Sequence, residues 1–283
     1  KLHILGEVFS VNWLDFLPHK WHKNKNDYLN NVLTEHADIV IYDLNPQNYP
    51  KNIEKVLIHQ QVKGVRQVAV DAMREYHHYL DLVCIPSFYL SEKNKDIPVD
   101  KLFYGWNCYL MDYRVCEDKV YKRHEQEITK NLLILTGGSD PSNFSEWLPL
   151  KIEGLLPKNT VINWVQGPFS KLPIIQKHTE YLWKIHHSPE NMKILMEQSD
   201  IALTRYGVTF FELAALGVPT WLMLDEEMAD QNELFELMKE PWVFTLNKNE
   251  KWPNLLKNKE AFKNDIKVTH DGAKRLAERL LLL

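Results

Sequence analysis

The stretch Leu132-Leu133-Ile134-Leu135-Thr136-Gly137-Gly138-Ser139-Asp140-Pro141-Ser142-Asn143 decides how the rest of the chain reads. Its apolar run fits a strand buried on both faces, as strands of a parallel sheet are. Two glycines end the run, and without Cβ atoms they permit close backbone approach. Asp140 is a good helix N-cap and Pro141 suits the first helical position, so a helix is expected to open there. Its first N–H groups, at the positive end of the helix dipole, are expected to face a ligand. Strand, glycine turn and helix start together form a place where backbone can cradle a phosphate. A plain turn that binds nothing has the same spelling.

A second stretch has the same grammar: Ser199-Asp200-Ile201-Ala202-Leu203-Thr204-Arg205-Tyr206-Gly207-Val208-Thr209-Phe210-Phe211-Glu212-Leu213-Ala214-Ala215-Leu216-Gly217-Val218-Pro219. Gly207 follows a buried strand and Val208-Thr209 open a helix. Glu212 then stands where a carboxylate can accept two hydrogen bonds from a ribose diol, as the acidic residue of dinucleotide folds does. It could equally only complement the helix dipole. Gly217 caps the helix and Val218-Pro219 begin the next strand. Two such cradles, about seventy residues apart, fit a sugar-nucleotide site in a Rossmann-like domain. Further on, Gln231 and Asn232 carry amides that can meet sugar hydroxyls, or simply cap a helix.

Outside these stretches, strands are expected at Leu2–Leu5, Asp38–Asp43, Val65–Asp71 and Leu80–Pro86, with a helix over Pro50–Gln61 between the second and third. Past residue 130 they are expected at Leu132–Thr136, Val161–Gln166, Tyr181–Ile185, Ile201–Thr204 and Thr220–Leu224. This alternation predicts α/β architecture with parallel sheets in two domains facing across a cleft. Residues 1–120 form the first, incomplete domain and 121–283 the nucleotide-sugar-binding domain. The charged segment between Asp112 and Thr129 reads as a solvated link. The last helix, Gly272 to Leu283, is amphipathic up to its terminal leucines, which are expected to dock on the other domain or to mark a cut from a longer chain.

Composition narrows the function. Of 283 residues, 45% are apolar and 25% charged, with a net charge of −4, so neither nucleic acid nor an anionic membrane is the expected partner. No run is long enough for a membrane span. Cys84, Cys108 and Cys116 lack ligand spacing and read as reduced thiols, which places the chain in the cytoplasm. No metal and no cofactor are expected. The adjacent pairs His77-His78 and His186-His187 are poor chelators, since strand neighbours point to opposite faces. Asp43 ends a buried strand, where ligands of open α/β sheets bind, and is the candidate acid–base group. It also fits a turn-forming role. The chain begins at Lys1 without methionine, which reads as part of a larger polypeptide.

The second half resembles the C-terminal domain of GT-B-fold sugar-nucleotide enzymes. It is similar to the nucleotide-sugar hydrolase family of pseudaminic acid biosynthesis, which releases UDP from a UDP-linked diacetamido trideoxy sugar. MurG-type glycosyltransferases and spore-coat polysaccharide proteins share the domain. The resemblance rests on Gly137-Gly138-Ser139-Asp140-Pro141 with Asn143, on Glu190-Asn191-Met192 with Met196, and on Ser199-Asp200, Gly207, Thr209, Glu212 to Pro219 and Gln231. Asp271-Gly272 with Arg275 resembles the family's closing helix. It implies that Gly137, Gly138 and Gly207, with Ser139, Val208 and Thr209 around them, face the diphosphate. It implies that Glu212 holds the ribose, that Gln231 and Asn232 lie near the sugar, and that His187 and its neighbours lie near the uracil.

The departures are as informative. Those hydrolases open with a G-x-G-H-x-x-R loop whose histidine is the expected base, and that loop is absent from this sequence. The turn after Asp43 reads Leu44-Asn45-Pro46, and Tyr206 stands where a second glycine is usual. Three readings stay open: a UDP-sugar hydrolase, a GT-B glycosyltransferase, and a nucleotide-sugar-binding module without chemistry. Without the histidine, slow turnover is expected.

Overall fold

The computed structural model describes residues 2–5, 19–22, 37–44, 49–111, 131–189, 191–224, 231–253 and 266–283. The expected charged link falls within 112–130, outside the described residues. The chain divides into two compact units, Lys1–Gly105 with Leu276–Leu283, and Trp106–Arg275.

In the first unit, strands β1 (Leu2–Leu5) and β2 (His19–His22) form a parallel pair of their own. A four-stranded parallel sheet follows in simple order: β3 (Ile39–Tyr42), β4 (Arg66–Val70), β5 (Leu82–Cys84) and β6 (Leu102–Phe103). Helix α1 (Ile53–Val62) crosses from β3 to β4 and buries Ile53, Val56, Leu57 and Gln60, the spacing of one helical face. It stops at Gly64, whose φ of +74° lets the N–H of Val65 reach back to Gln60 O.

Gln67 ties these elements together. It is fully buried in the middle of the unit. The Tyr42 hydroxyl donates to its Oε1 at 3.0 Å, and its Nε2 donates to Leu57 O and Tyr79 O at 3.0 Å each. One side chain thus joins β3, α1 and the turn before β5. Asp81 locks the start of the β4–β5 pair by accepting from the Gln67 N–H at 2.8 Å and from Arg66 at 2.9 Å.

The second unit is a six-stranded parallel sheet. Its elements are β7 (Asn131–Leu135), α2 (Phe144–Ile152), β8 (Val161–Gln166), β9 (Leu182–His187), α3 (Met192–Glu197), β10 (Ile201–Thr204), α4 (Val208–Ala215), β11 (Thr220–Leu224), α5 (Gln231–Leu237) and β12 (Phe244–Asn247), while the last helix, α6 (Gly272–Leu280), begins in this unit and ends in the segment that belongs to the first. The spatial order is β12-β11-β10-β7-β8-β9. Counted from β7 this is the doubly wound 3-2-1-4-5-6 order, whose direction reverses between β7 and β10. Leu132, Ile134, Ile162, Trp164, Ile201, Leu203, Trp221 and Met223 share one face and pack under Phe144 and Leu148 of α2. Leu133, Ala202 and Leu222, at the intervening positions, are also fully buried, so both faces are covered.

Two sequence expectations need correction. Helix α2 begins at Phe144, not at Asp140-Pro141. Asp140 instead sits at φ +48° and its carboxylate accepts the N–H groups of Phe144 and Ser145 at 2.9 Å each. Those two helix-start donors are therefore consumed internally. The last helix ends at Leu280, and Leu281 and Leu282 are exposed. Leu280, Leu281 and Leu283 line a hollow with residues 37–39 and 63–66 of the first unit, to which the segment belongs.

Replacing Gln67 by Leu keeps the volume but strips partners from Tyr42, Leu57 and Tyr79. Unpaired buried groups cost about 1–3 kcal/mol each, so a loss on the order of 2–3 kcal/mol is expected in urea unfolding. An unchanged midpoint would contradict the hub role.

Candidate functional site

The parallel register sets Leu135 beside both Thr204 and Val165. The next residues of the three strands, Thr136, Arg205 and Gln166, therefore emerge at one edge. That edge is the reversal point, where open α/β sheets bind ligands. A cavity of about 410 Å³ lies there, lined by the turns after β7, β8 and β10, by Thr209 of α4, and by Ser188 and Met192.

Its floor depends on one close approach. A Cβ placed on Gly167 would lie 2.4 Å from Gly137 O, 2.5 Å from Gly138 O and 2.6 Å from Gly138 Cα. Only a glycine lets the β8 exit pass against the Gly137-Gly138 turn. The Phe169 N–H then donates to Gly138 O at 2.9 Å, and Ser170 donates to Gly167 O through its N–H and its hydroxyl. Gln166 Nε2 closes the loop onto Ser170 O at 2.8 Å. On the other side, Gly207 precedes α4 at φ +153°, a conformation that favours glycine.

Side chains complete the walls. Arg205 Nη1 lies 3.7 Å from where a Cβ on Gly137 would be. The Tyr206 phenol, hydrogen-bonded to Glu233 and Tyr109, is held well above its ordinary pKa, chiefly by burial. Tyr109 in turn stacks on Phe211, ring centroids 3.8 Å apart.

Of the residues singled out from sequence, Gly137, Gly138, Gly207 and Thr209 line this cavity. Ser139 is exposed and Val208 is exposed at the start of α4, and neither lines the cavity. Glu212 is buried one turn beyond Thr209, and side chains of a helix lean toward its N-terminus, here the cavity end. His187 is exposed at the end of β9, next to the cavity-lining Ser188. His186 bonds Asn163 Oδ1 at 2.9 Å, and burial followed by Lys184 pushes its pKa down. Gln231 lines a separate hollow with Trp147, Asn247 and Asn249, and Asn232 is exposed beside it in sequence.

Asp43 belongs to the first unit, exposed at the C-terminal end of β3. The Asp71 carboxyl is raised in pKa, mainly by burial, with Arg74 opposing and Asp43 adding to the rise. No group of three or more metal-ligating side chains occurs among the described residues. No helix among them is long and apolar enough to cross a membrane.

No family model matches the chain. It is 31% identical over 159 residues to the uncharacterized protein MJ1062 of Methanocaldococcus jannaschii, a match covering 52% of this chain and 31% of that protein. The match thus spans less than a third of that relative's length. Among solved structures, a UDP-N-acetylglucosamine 2-epimerase aligns with a TM-score of 0.57 at 12% identity, over 95% of this chain and 83% of that one. The Neisseria meningitidis UDP-GlcNAc 2-epimerase bound to UDP-GlcNAc gives 0.55 at 16% identity, over 91% and 80%. MurG of Acinetobacter baumannii gives 0.53 at 13% identity, over 81% and 70%. At these identities the likeness is one of fold. The chain has the two parallel-sheet α/β units of the GT-B class.

Sequence reasoning missed Gly167, Arg205 and Thr136. The Gly167-Pro168 pair after a strand is a turn signal, but nothing local marks the backbone it must pass. Gly167→Ala is expected to lower stability by about 1–3 kcal/mol, the cost of overpacking. Gly138→Ala, whose Cβ would meet nothing within 4 Å, is expected to stay within about 0.5 kcal/mol. Equal urea midpoints for the two variants would refute this account of the floor.

Proposed function

We propose that the second unit binds a UDP-sugar, with the diphosphate against Gly137, Gly138 and Gly207 and the ribose on Glu212. The observation that carries this reading is the convergence of three glycine turns on one cavity at the reversal point of a doubly wound sheet. It is supported by the solved structures of the same fold, which include UDP-GlcNAc 2-epimerases, one of them with UDP-GlcNAc bound. The second unit, Trp106–Arg275, would then be the nucleotide-sugar-binding domain.

The reaction we propose is release of UDP from a nucleotide-activated deoxyamino sugar. Water attacks the anomeric carbon and loses its proton to a general base, for which Asp43 is the candidate proposed from the sequence. The bond from that carbon to the diphosphate oxygen breaks, and its electron pair leaves with UDP. Backbone N–H groups at the glycine turns stabilise the departing charge. An acceptor hydroxyl in place of water would make the same arrangement a glycosyltransferase, a reading that the MurG likeness favours. Product analysis separates the two.

Calorimetry with UDP tests the binding half. Glu212→Gln removes charge-assisted hydrogen bonds to the ribose and is expected to weaken UDP by about 1–3 kcal/mol. Equal affinity of both proteins rejects the ribose role. The catalytic half is tested by UDP release from a panel of UDP-sugars. A positioned acid–base group contributes about 10²–10⁴-fold, so Asp43→Asn is expected to lower the rate by that order while UDP affinity holds. An unchanged rate removes Asp43 from the mechanism.

A further inference from the structure

Two features of the cavity are unexplained by a site made only of backbone. The first is charge. Among the described residues lining it, Arg205 is the one charged side chain, and no carboxylate lines it. Its guanidinium lies beside the Gly137 turn, which brings a cation to the glycine cradle. The second is an orphan. Thr136 is fully buried, lines the cavity, and its Oγ1 has no hydrogen-bond partner among the described residues. Buried polar atoms almost always have partners, so one without a partner in a residue lining a cavity calls for an explanation. A hydroxyl can donate to a phosphate oxygen, and a guanidinium can hold two such oxygens at once.

We infer that Arg205 and Thr136 are the side-chain ligands of a diphosphate in this cavity, and that they determine its selectivity for diphosphate over uncharged nucleoside. The inference rests on the phosphate reading of the same site. Arg205 matches the ligand's charge, and Thr136 supplies a preformed donor whose desolvation has already taken place in the empty protein. The same guanidinium would neutralise the charge that builds on a departing UDP.

The test is titration of the whole chain with UDP, uridine and inorganic pyrophosphate, for wild type, Arg205→Gln, Arg205→Lys and Thr136→Val. Arg205→Gln is expected to weaken UDP and pyrophosphate by about 10- to 100-fold and to leave uridine unchanged, as for lost charge-assisted bonds. Arg205→Lys keeps the charge and is expected to recover part of that loss. Thr136→Val exchanges the hydroxyl for a methyl of the same shape. It is expected to weaken UDP by about 2- to 10-fold while the melting temperature of the empty protein holds or rises, since an unpaired buried hydroxyl is removed. UDP and pyrophosphate affinities unaltered by Arg205→Gln would overturn the inference. So would a Thr136→Val protein that melts lower yet binds UDP as before, because the hydroxyl would then be structural. Wild type that binds pyrophosphate but not UDP, with the Arg205→Gln loss intact, would retire the uridine reading and leave the diphosphate clamp standing.

Discussion

The pairing of β7 with β10 is the constraint on which the second unit depends. These strands are neighbours in space but lie some seventy residues apart in sequence. Everything from β8 to α3 is one excursion that must return to this seam. Asp200 fastens it at the entry, where its carboxylate accepts the Asn131 N–H at 2.9 Å and its own N–H reaches Asn131 O at 3.0 Å. With the register fixed there, Thr136 and Arg205 emerge side by side at the other end. The cavity is a consequence of that register. A slip of one residue would exchange the two faces of the strand and bury the wrong side chains.

Close backbone approach and electrostatics then divide the work of the site. Gly167 allows the β8 loop to press on the Gly137-Gly138 turn, and the Phe169 N–H holds Gly138 O turned into that contact. Asp140 meanwhile takes the first donors of α2. These bonds occupy Gly138 O and the first two N–H groups of α2. The turn after β7 thus lends the cavity closely approaching backbone, and positive potential is added by the start of α4 and by Arg205.

The strands were legible because parallel strands buried on both faces spell as unbroken apolar runs. Val161–Gln166, Ile201–Thr204 and Thr220–Leu224 match their expected bounds residue for residue. The helix start at Asp140-Pro141 misled because the residue types suit a cap, yet Asp140 adopts a left-handed conformation and caps from farther upstream. The glycines after β7 and β10 were readable from their turns. Gly167 was not, since its requirement comes from residues thirty positions away. Arg205 was passed over because a charged residue after a strand ordinarily faces water. Only the sheet order shows that the position opens into a cavity. The Gln67 hub was hidden for a similar reason, as a polar residue inside an apolar strand gives no hint of three partners.

Tyr206 shows how one substitution in a turn reshapes a site's chemistry. At a place where a glycine would leave open space, its ring stands edge-on to Phe211 and its hydroxyl reaches Glu233 and Tyr109. Burial holds the phenol protonated, so this wall adds no negative charge beside the cradle. It also ties the turn after β10 to α5 through Glu233, which keeps that carboxylate engaged with the phenol. The cavity wall is therefore neutral where Tyr206 forms it and cationic where Arg205 does. Adjacent residues of one short turn supply both properties, and the strand before them, through its pairing with β7, holds both in place.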